Sequence, residues 1–570
     1  MNCQATWWRI LVFFVPAALF LCGTLPHLEL PGIQYDEVYY VPPAAALLKH
    51  QYDMDYVMLN PSVIHIGGRP LPVMFNYYTS FFRTYLTLPV FALFGINVYT
   101  IRLSSIALGT MALIFFVAFA RRLTNRSEIA LASGIFLALD ASFIAYTHND
   151  HVVVSTMMVL KGGALWALLR WWQQPQPHGK TFLYLGAFLA GLGITDRVSF
   201  AWLLMALAPT LLLIYGKKFW HEISLRVRNQ KELIIASGAL ALGASVFLAF
   251  NAATLGGSFS PMLDNFRKTA GGVDNLAFFD NLYLRLQMLT EVLNGSYLNH
   301  FILGEINYRT NGWHFSGSPL SWLVPLAFIY FFAKSIIHAF SGRTAARIPL
   351  FLLSMTAWLL LFSCFTPTVH RGHQLLLLYP FPHILAALFV FELASVTYQK
   401  LKHVFFSLQG LAWGMILLLS VLAVRPVMAY HHMLQQTGGR GVWSDAIYDI
   451  IAEVDHRPDR VVVCMDWGFN ANILSLTKNR VRTIRNYYDH TRRRPDQLAQ
   501  LFDSTHVFLL HAPEYSYLPA PREDFFAAVT LANAKVDTLR VFYQREGQAV
   551  AYLLQVTQPS QVNFETNAEN

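Results

Sequence analysis

Residues 7–28 read WWRILVFFVPAALFLCGTLPHL, and Tyr35-Asp36-Glu37 follows a few residues later. The first run is long and apolar enough to cross a bilayer, since a spanning helix needs about 20 mostly apolar residues. The two adjacent carboxylates then stand at the membrane surface, where burial is costly and packing gains nothing from them. This order predicts a spanning helix followed by acidic side chains held close to the lipid.

The composition is typical of a polytopic membrane protein. Hydrophobic residues make up 55% of the 570 residues and charged residues only 13%, about half the charged fraction of soluble proteins. The first span is expected to be retained, because no small-residue cleavage site follows it. About eleven segments are predicted to span the membrane, near residues 7–28, 100–120, 128–147, 152–172, 181–195, 198–216, 233–251, 320–338, 349–367, 375–397 and 404–424.

Basic residues predict the orientation of these spans, because Lys and Arg are retained in cytoplasmic loops. With the N-terminus inside, the basic clusters between spans all fall on the cytoplasmic side; they include Arg121-Arg122, Lys217-Lys218 with Arg228, Arg343 with Arg347, and Lys400 with Lys402. These loops largely explain the net charge of +9, so nucleic-acid binding is not indicated. The four cysteines form no pattern of a disulfide framework or a thiolate metal site.

The predicted organisation is a transmembrane domain over residues 1–425, an extracytoplasmic α/β domain over 426–560 and a disordered tail over 561–570. Residues 29–99 and 252–319 are large outer loops. Interfacial helical stretches are expected at 37–51 and 70–94, and a surface helix at 280–293. Alternating short elements predict the α/β domain, with helices at 444–454 and 469–476 and strands at 460–466, 481–484, 505–510 and 536–543.

Asp36 and Glu37 are the first candidate site residues. A solvated pair in a loop is the plain alternative. As a functional pair, one carboxylate takes a proton from an attacking hydroxyl while its neighbour orients it or raises its pKa. Burial against Tyr35 and the tyrosines at 39 and 40 would help to exclude water.

Further polar residues stand at predicted span ends on the same side. His148-Asn149-Asp150-His151 is either a polar cap on the next helix or part of a site, and His148 and Asp150 could hold a divalent cation. Each of the other candidates has a structural and a functional interpretation. Arg102 either snorkels to the membrane surface or binds phosphate, and His370-Arg371 either anchors the chain at the interface or binds a lipid phosphate. Arg197 either forms a turn neutralised by its neighbouring Asp or lines a pocket, and His314 is either a hydrogen-bonded loop histidine or a contact to sugar hydroxyls.

The first 215 residues resemble the glycosyltransferase C superfamily, in particular its protein O-mannosyltransferase and aminoarabinose-transferase branch. Three features carry the resemblance: the Asp-Glu pair with following tyrosines in the first outer loop, Gly-Ile-Asn-Val-Tyr-Thr-Ile-Arg-Leu-Ser-Ser at 95–105, and the Arg-Arg-Leu turn at 121–123. A weaker likeness continues through 313–319 and 370–373. The His-Pro-Pro-Leu stretch common in the first loop is replaced by Gly-Gly-Arg-Pro-Leu-Pro at 67–72, with His65 before it.

The resemblance implies an integral membrane enzyme that transfers a sugar from a polyprenyl-phosphate donor to an acceptor hydroxyl, with inversion. Asp36 is then the general base and Glu37 its helper. The predicted donor-phosphate contacts are Arg102, Arg371 and His370, and the further substrate contacts are Tyr35, His148, Asp150, Arg197 and His314. No cofactor is required, although a divalent metal at His148 and Asp150 stays open.

The expected partners are the lipid-linked sugar, the bilayer and an acceptor that is a protein, a lipid or a polysaccharide. The site is expected to face the outside or periplasm of a plasma membrane, or the lumen of the endoplasmic reticulum in a eukaryote. A transporter or flippase of lipid-linked sugars is the alternative, but repeated halves and midplane helix breaks are not evident in the sequence. A sensor whose tail binds ligand would leave the outer acidic and basic residues without a role.

Overall fold

The computed structural model describes residues 3–49, 62–174, 179–227, 230–269, 271–341, 346–366, 368–400 and 407–558. The predicted disordered tail at 561–570 lies outside the described residues. So do the end of the predicted helix at 50–51 and the loop residues Arg228, Arg343 and Lys402.

Helices dominate the N-terminal three quarters of the chain. They are α1 (Cys3–Thr24), α2 (Tyr35–Val38), α3 (Val41–Leu48), α4 (Phe82–Phe94), α5 (Val98–Thr124), α6 (Ser127–Ala138), α7 (Ala141–His148), α8 (Val154–Gln173), α9 (Lys180–Asp196), α10 (Ala201–Tyr215), α11 (Phe219–Arg226), α12 (Gln230–Gly243), α13 (Ser245–Ala253), α14 (Phe259–Asp264), α15 (Phe278–Asn294), α16 (Tyr297–Ile302), α17 (Leu320–Phe340), α18 (Arg347–Ser363), α19 (Phe381–Lys400) and α20 (Leu408–Thr437).

This is an integral, multi-pass membrane protein. Within the described ranges, six helices are long and apolar enough to cross a membrane, and up to eight do so if each of two bent pairs is one span. The other three predicted spans correspond to α1, α9 and α18, and the last two have 17 residues each. Every predicted span therefore has a helical counterpart, whereas the count of eleven is not established by length and composition.

Polar caps shape the helices near the first loop. Asn97 and Thr100 form a reciprocal capping box at the start of α5, with N–H···O distances of 3.0 and 3.1 Å between side chains and backbone. Asp140 separates α6 from α7 by a 59° bend, and its carboxylate accepts the Phe143 N–H at 2.8 Å. Because the cap ends one helix and starts the next, the chain changes direction as it approaches the loops.

The first loop differs from its predicted form. Helices α2 and α3 replace the helix expected at 37–51, and the stretch expected at 70–94 divides into a small sheet and α4. Strands β1 (Ser62–Ile66), β2 (Arg69–Asn76) and β3 (Thr79–Ser80) pair in that order. Gly67 and Gly68 form the first turn with φ of 59° and 76°, which a two-residue hairpin turn favours because both central residues need positive φ.

The C-terminal α/β domain is present as predicted. Its helices are α21 (Ala446–Asp455), α22 (Asn470–Leu476), α23 (Pro495–Ala499) and α24 (Pro519–Leu531), and its strands are β4 (Val461–Cys464), β5 (Arg482–Arg485), β6 (His506–His511), β7 (Lys535–Tyr543) and β8 (Ala549–Thr557). The sheet order is β5-β4-β6-β8-β7, with the first three strands parallel and the last two antiparallel to their neighbours. Helix α20 runs to Thr437, so the predicted boundary at 425 falls inside a helix.

The C-terminal domain packs directly on the first loop. One buried apolar cluster contains Tyr40 and Val41 of the loop together with Val462 of β4. Asn472 donates a hydrogen bond to the Ile33 carbonyl at 2.7 Å, and Asn479 donates to the Pro42 carbonyl at 3.1 Å. The two regions are therefore held by both apolar burial and satisfied polar groups.

Candidate active site

A cavity of about 610 Å³ lies between the first loop, the adjoining helix ends and the C-terminal domain. Its polar and aromatic lining includes Tyr35, Asp36, Tyr78, His151, Arg197, Tyr297, Arg371, His373, Trp443, Trp467, Tyr488 and Tyr517. Among the residues the structure describes, Asp36 is the only carboxylate in this lining, and Arg197 and Arg371 are its only guanidinium groups. The cavity thus combines one acid with two permanent positive charges.

Asp36 is held at the cavity by the cap of α2. Its backbone N–H donates to the Gln34 side chain at 2.7 Å, so the side-chain direction is set by a short, well-anchored turn. Burial raises the pKa of Asp36 to about 6, while the positive charges of Arg197 and Arg371 act in the lowering direction. A carboxylate with this pKa is mostly ionised at neutral pH yet basic enough to accept a proton.

The two arginines reach the cavity from distant parts of the chain. Arg197 follows α9, is 6% exposed, and donates to the Val152 carbonyl. Arg371 precedes the 3₁₀ turn Gly372–Leu378, and its guanidinium carbon lies 4.9 Å from the centre of the Phe301 ring. Two guanidinium groups facing one carboxylate leave an excess of positive charge, which suits an anionic group such as a phosphate.

Glu37 faces away from this cavity, although it adjoins Asp36 in sequence. Its carboxylate accepts from Arg102 Nε at 2.7 Å and Nη2 at 3.0 Å, and both side chains are fully buried. Arg102 also donates to the carbonyls of Leu28 and Pro31 at 2.8 and 2.9 Å. This pair fastens α5 and the segment that follows α1 to the turn that carries Asp36, and neither member lines the cavity.

The Asp150 carboxylate is also engaged by side chains in the protein interior. It accepts the hydroxyls of Ser105 and Ser155, each at 2.8 Å, and lies 3.3 Å from Arg83 Nη2. His148 instead contacts the Tyr430 hydroxyl through Nδ1 at 3.0 Å. Over the described ranges no three His, Cys, Asp or Glu side chains form a group that could hold a metal ion, so the residues proposed for one do not fit it.

Backbone strain lies beside the cavity, directly after His148. Asp150, Val152 and Val153 have φ of 41°, 59° and 55°. Positive φ is a genuine outlier for β-branched residues and costs on the order of 1–3 kcal/mol each. Since the Val152 carbonyl accepts the hydrogen bond from Arg197, the strained turn presents the group that positions one of the two cavity arginines.

His370 and His314 lie outside the cavity lining. Burial lowers the pKa of His370 to about 3, so the imidazole is neutral, and its Nε2 lies 3.4 Å from the Cys364 carbonyl. His314 Nε2 lies 3.1 Å from the buried Glu291 carboxylate. Of the predicted residues, the structure therefore brings Tyr35, Asp36, Arg197 and Arg371 together and places Glu37, Arg102, His148, Asp150, His314 and His370 elsewhere.

Three aromatic residues of the C-terminal domain are additions to the predicted site. Trp467 follows β4, Tyr488 follows β5 and Tyr517 follows β6, and all three line the cavity. The carboxyl ends of parallel strands share one edge of a sheet, which is where ligands of open α/β sheets bind. That edge closes the cavity opposite the helix ends, and the position of Trp467 just after a predicted strand was the available sequence signal.

Comparisons with known proteins agree with the resemblance. A family described as dolichyl-phosphate-mannose-protein mannosyltransferase matches residues 80–243. The fold matches ArnT from Cupriavidus metallidurans bound to undecaprenyl phosphate with a TM-score of 0.60 and 12% identity, covering 96% of this chain and 98% of that one. It also matches the archaeal oligosaccharyltransferase AglB from Archaeoglobus fulgidus, in complex with an inhibitory peptide and a dolichol-phosphate, with a TM-score of 0.52 and 11% identity over 99% and 76% of the two chains.

No protein with a curated description matches the sequence significantly. The structural matches extend over almost the whole chain, so they include both the membrane helices and the C-terminal domain. The predicted likeness to the glycosyltransferase C superfamily, with its mannosyltransferase- and ArnT-like character, is confirmed at the level of fold.

Proposed function

We propose that this protein is a membrane glycosyltransferase that transfers a sugar from a polyprenyl-phosphate donor to an acceptor hydroxyl, with inversion. The observation that carries the proposal is the convergence of Asp36, Arg197 and Arg371 on one cavity. The transmembrane part would supply the reacting groups, and the C-terminal domain would close the cavity. Following the charge distribution of the loops, the site faces away from the cytoplasm.

Asp36 acts as the general base in this scheme. Its carboxylate accepts the proton of the acceptor hydroxyl as that oxygen bonds to the anomeric carbon. The bond from the anomeric carbon to the phosphate oxygen breaks on the opposite face, which inverts the linkage. A pKa of about 6 suits this step, because the base is ionised near neutral pH without being too weak to take the proton.

Arg371 and Arg197 stabilise the leaving group. The phosphate gains negative charge as the sugar departs, and fixed guanidinium donors lower the energy of that charge most where water is excluded. Arg102 and His370 are not assigned this role, because one is saturated by Glu37 and backbone carbonyls and the other is neutral. Glu37 and Arg102 are instead positioning residues for the turn that bears Asp36.

The lipid part of the donor is inferred from the fold. ArnT was solved with undecaprenyl phosphate and AglB with a dolichol-phosphate, and both are polyprenyl phosphates. A carrier of this class would place its phosphate at the two arginines and its chain among the membrane helices. The acceptor is a hydroxyl of a protein, a lipid or a polysaccharide, and no metal ion takes part in the proposed steps.

The test compares sugar transfer by the wild type and Asp36→Asn in detergent, with a panel of polyprenyl-phosphate sugars and a membrane extract as acceptor source. Asp449→Asn is the matched control, since it makes the same chemical change at an exposed position of α21 outside the cavity lining. We expect Asp36→Asn to lose at least about 100-fold in rate while it keeps donor binding and folding.

Equal transfer by the wild type and Asp36→Asn would remove Asp36 from the mechanism. Transfer lost together with donor binding would assign Asp36 to binding rather than to proton removal. If no donor supports transfer while the protein moves lipid-linked sugars across vesicle membranes, the flippase alternative replaces the enzyme.

A further inference from the structure

A second cavity, of about 640 Å³, lies in the C-terminal domain along the outer edge of strand β5. Strand β5 is an edge strand of the sheet, so this side carries no further strand. The polar lining includes Arg485, His490, Thr491, Arg492, Arg493 and Gln497. All of these side chains can donate hydrogen bonds, and no Asp or Glu lines the cavity among the described residues.

The segment beside this cavity is rich in arginine, and three of its arginines form ion pairs: Arg480 with Asp455, Arg492 with Asp524 and Arg494 with Asp496. Residues 480–494 contain six arginines and a single acid, Asp489. Arg492 is compensated by Asp524 at 3.0 Å, whereas the Arg493 guanidinium makes no ion pair with any part of the chain that the structure describes. Arg493 is partly buried in the cavity wall, so its charge is less screened by water than that of a free surface arginine.

This cavity adjoins the catalytic cavity. Tyr488 lines the catalytic cavity, and its ring stacks on that of His490, which lines the second one, with 5.8 Å between ring centres. Arg485 acts electrostatically on the hydroxyls of Tyr35 and Tyr488, both in the catalytic lining. The stacked rings of Tyr488 and His490 therefore stand between the two cavities.

We propose that Arg493, with Arg485, Arg492 and the neighbouring Gln497 amide, binds a phosphate group of the acceptor next to its reacting hydroxyl. Guanidinium forks match the geometry of phosphate oxygens, and the side-chain amide of Gln497 can complete the donor set. The anion site stands on its own geometry, whereas its assignment to the acceptor rests on the proposed transferase function. Arginines on an edge strand also prevent unwanted strand pairing, but that role requires no concave donor set.

The first test measures binding of inorganic phosphate to the full-length protein in phosphatidylcholine nanodiscs by isothermal titration calorimetry. Arg493→Gln is compared with Arg494→Gln, which removes the same charge one residue further along, at a position with 74% side-chain exposure that does not line the cavity. We expect Arg493→Gln to weaken binding at least about tenfold and Arg494→Gln to leave it unchanged.

Phosphate bound at Arg197 and Arg371 would still bind in Arg493→Gln. Any loss of phosphate binding in this variant therefore comes from the second cavity alone. No saturable binding in the wild type, or equal weakening by both substitutions, would overturn the anion site. Nanodiscs that also contain phosphatidylglycerol identify the source of the group. If phosphatidylglycerol competes with inorganic phosphate for the site at Arg493, the natural ligand is a membrane headgroup. If phosphate binding is unchanged by phosphatidylglycerol, the natural ligand is an acceptor outside the bilayer.

A transfer assay separates this inference from the proposed function. Arg493→Gln should raise KM for a phosphorylated acceptor about tenfold, leave kcat unchanged and spare donor hydrolysis by water. Phosphate binding without any sugar transfer would refute the proposed transferase function and leave the anion site standing. Sugar transfer that is indifferent to Arg493, with phosphate binding intact, would remove the acceptor from the second cavity.

Discussion

The buried ion pair between Glu37 and Arg102 makes a strong prediction about stability. Arg102→Met removes the guanidinium and leaves the Glu37 carboxylate in a site with no exposed surface, where, of the donors in the described part of the chain, only the Gln34 N–H at 3.4 Å remains. An uncompensated buried charge costs about 3–5 kcal/mol. The carbonyls of Leu28 and Pro31 also lose their donor, so the upper part of this range is expected.

The measurement is equilibrium unfolding of the purified protein in mixed detergent, followed by circular dichroism. Arg126→Met is the control, because Arg126 pairs with Glu128 at the same N···O distance of 2.7 Å, but the two side chains are 47% and 31% exposed. Exposed pairs contribute about 0–1 kcal/mol. Two ion pairs of equal length should therefore differ several-fold in their effect on the free energy of unfolding.

A loss of less than about 1 kcal/mol in Arg102→Met, or a loss equal to that of Arg126→Met, would refute the reasoning. The double variant Glu37→Gln/Arg102→Met gives a second check, since removing both charges should cost less than the sum of the single changes. The single variants should also lower kcat while Asp36 is intact, because the pair holds the turn that carries it.

Two further predictions concern the pH profile and the packing of the first loop. The rate of transfer should rise with pH through about 6, since Asp36 acts only when ionised, and Arg371→Gln should move this midpoint upward because it removes a charge that lowers the pKa. The measurement is the pH profile of kcat/KM. A wild-type midpoint near the ordinary carboxyl pKa of about 4, or a lower midpoint in Arg371→Gln than in the wild type, would contradict the role of Asp36 as the base. Gly32→Ala should destabilise the protein by about 1–3 kcal/mol, because the added Cβ would lie 2.0 Å from the Ser444 carbonyl oxygen. Gly414→Ala is the control, because a Cβ added there in α20 would have nothing within 4 Å, and it should be neutral or stabilising. An equal loss of unfolding free energy in the two variants, measured by the same unfolding assay, would argue against loop packing as the cause.

The helical architecture follows from local properties of the sequence. Every predicted span has a helical counterpart, because a run of apolar residues has few stable conformations in a bilayer other than a helix. Six elements after residue 440, namely α21, α22 and β4 to β7, were predicted within a few residues, because their apolar period belongs to the element itself. Helices α23 and α24 and strand β8 were not predicted. The β1–β2 hairpin was missed although Gly67-Gly68 is a turn signal, since Pro70 and Pro72 argue against a strand.

The site depended on information that the sequence contains only in part. Asp36 was identified because an acid directly after a spanning helix is unusual, and Arg371 because a cation on that side runs against the charge bias of the loops. The aromatic wall from Trp467, Tyr488 and Tyr517 depends on which strands lie side by side and in which direction. Strand order is set by long-range packing, so local patterns carry little of it.

Asp36 and Glu37 show most directly how far the site can be predicted from the sequence. The sequence determined that two carboxylates follow the first spanning helix and that arginines lie at the ends of later spans. Only the tertiary structure decided that Asp36 joins Arg197 and Arg371 at the cavity while Glu37 pairs with Arg102 in the interior. Successive side chains on a helix point about 100° apart, so neighbours in sequence enter different surroundings, and packing of distant segments determines which of them meets solvent and substrate.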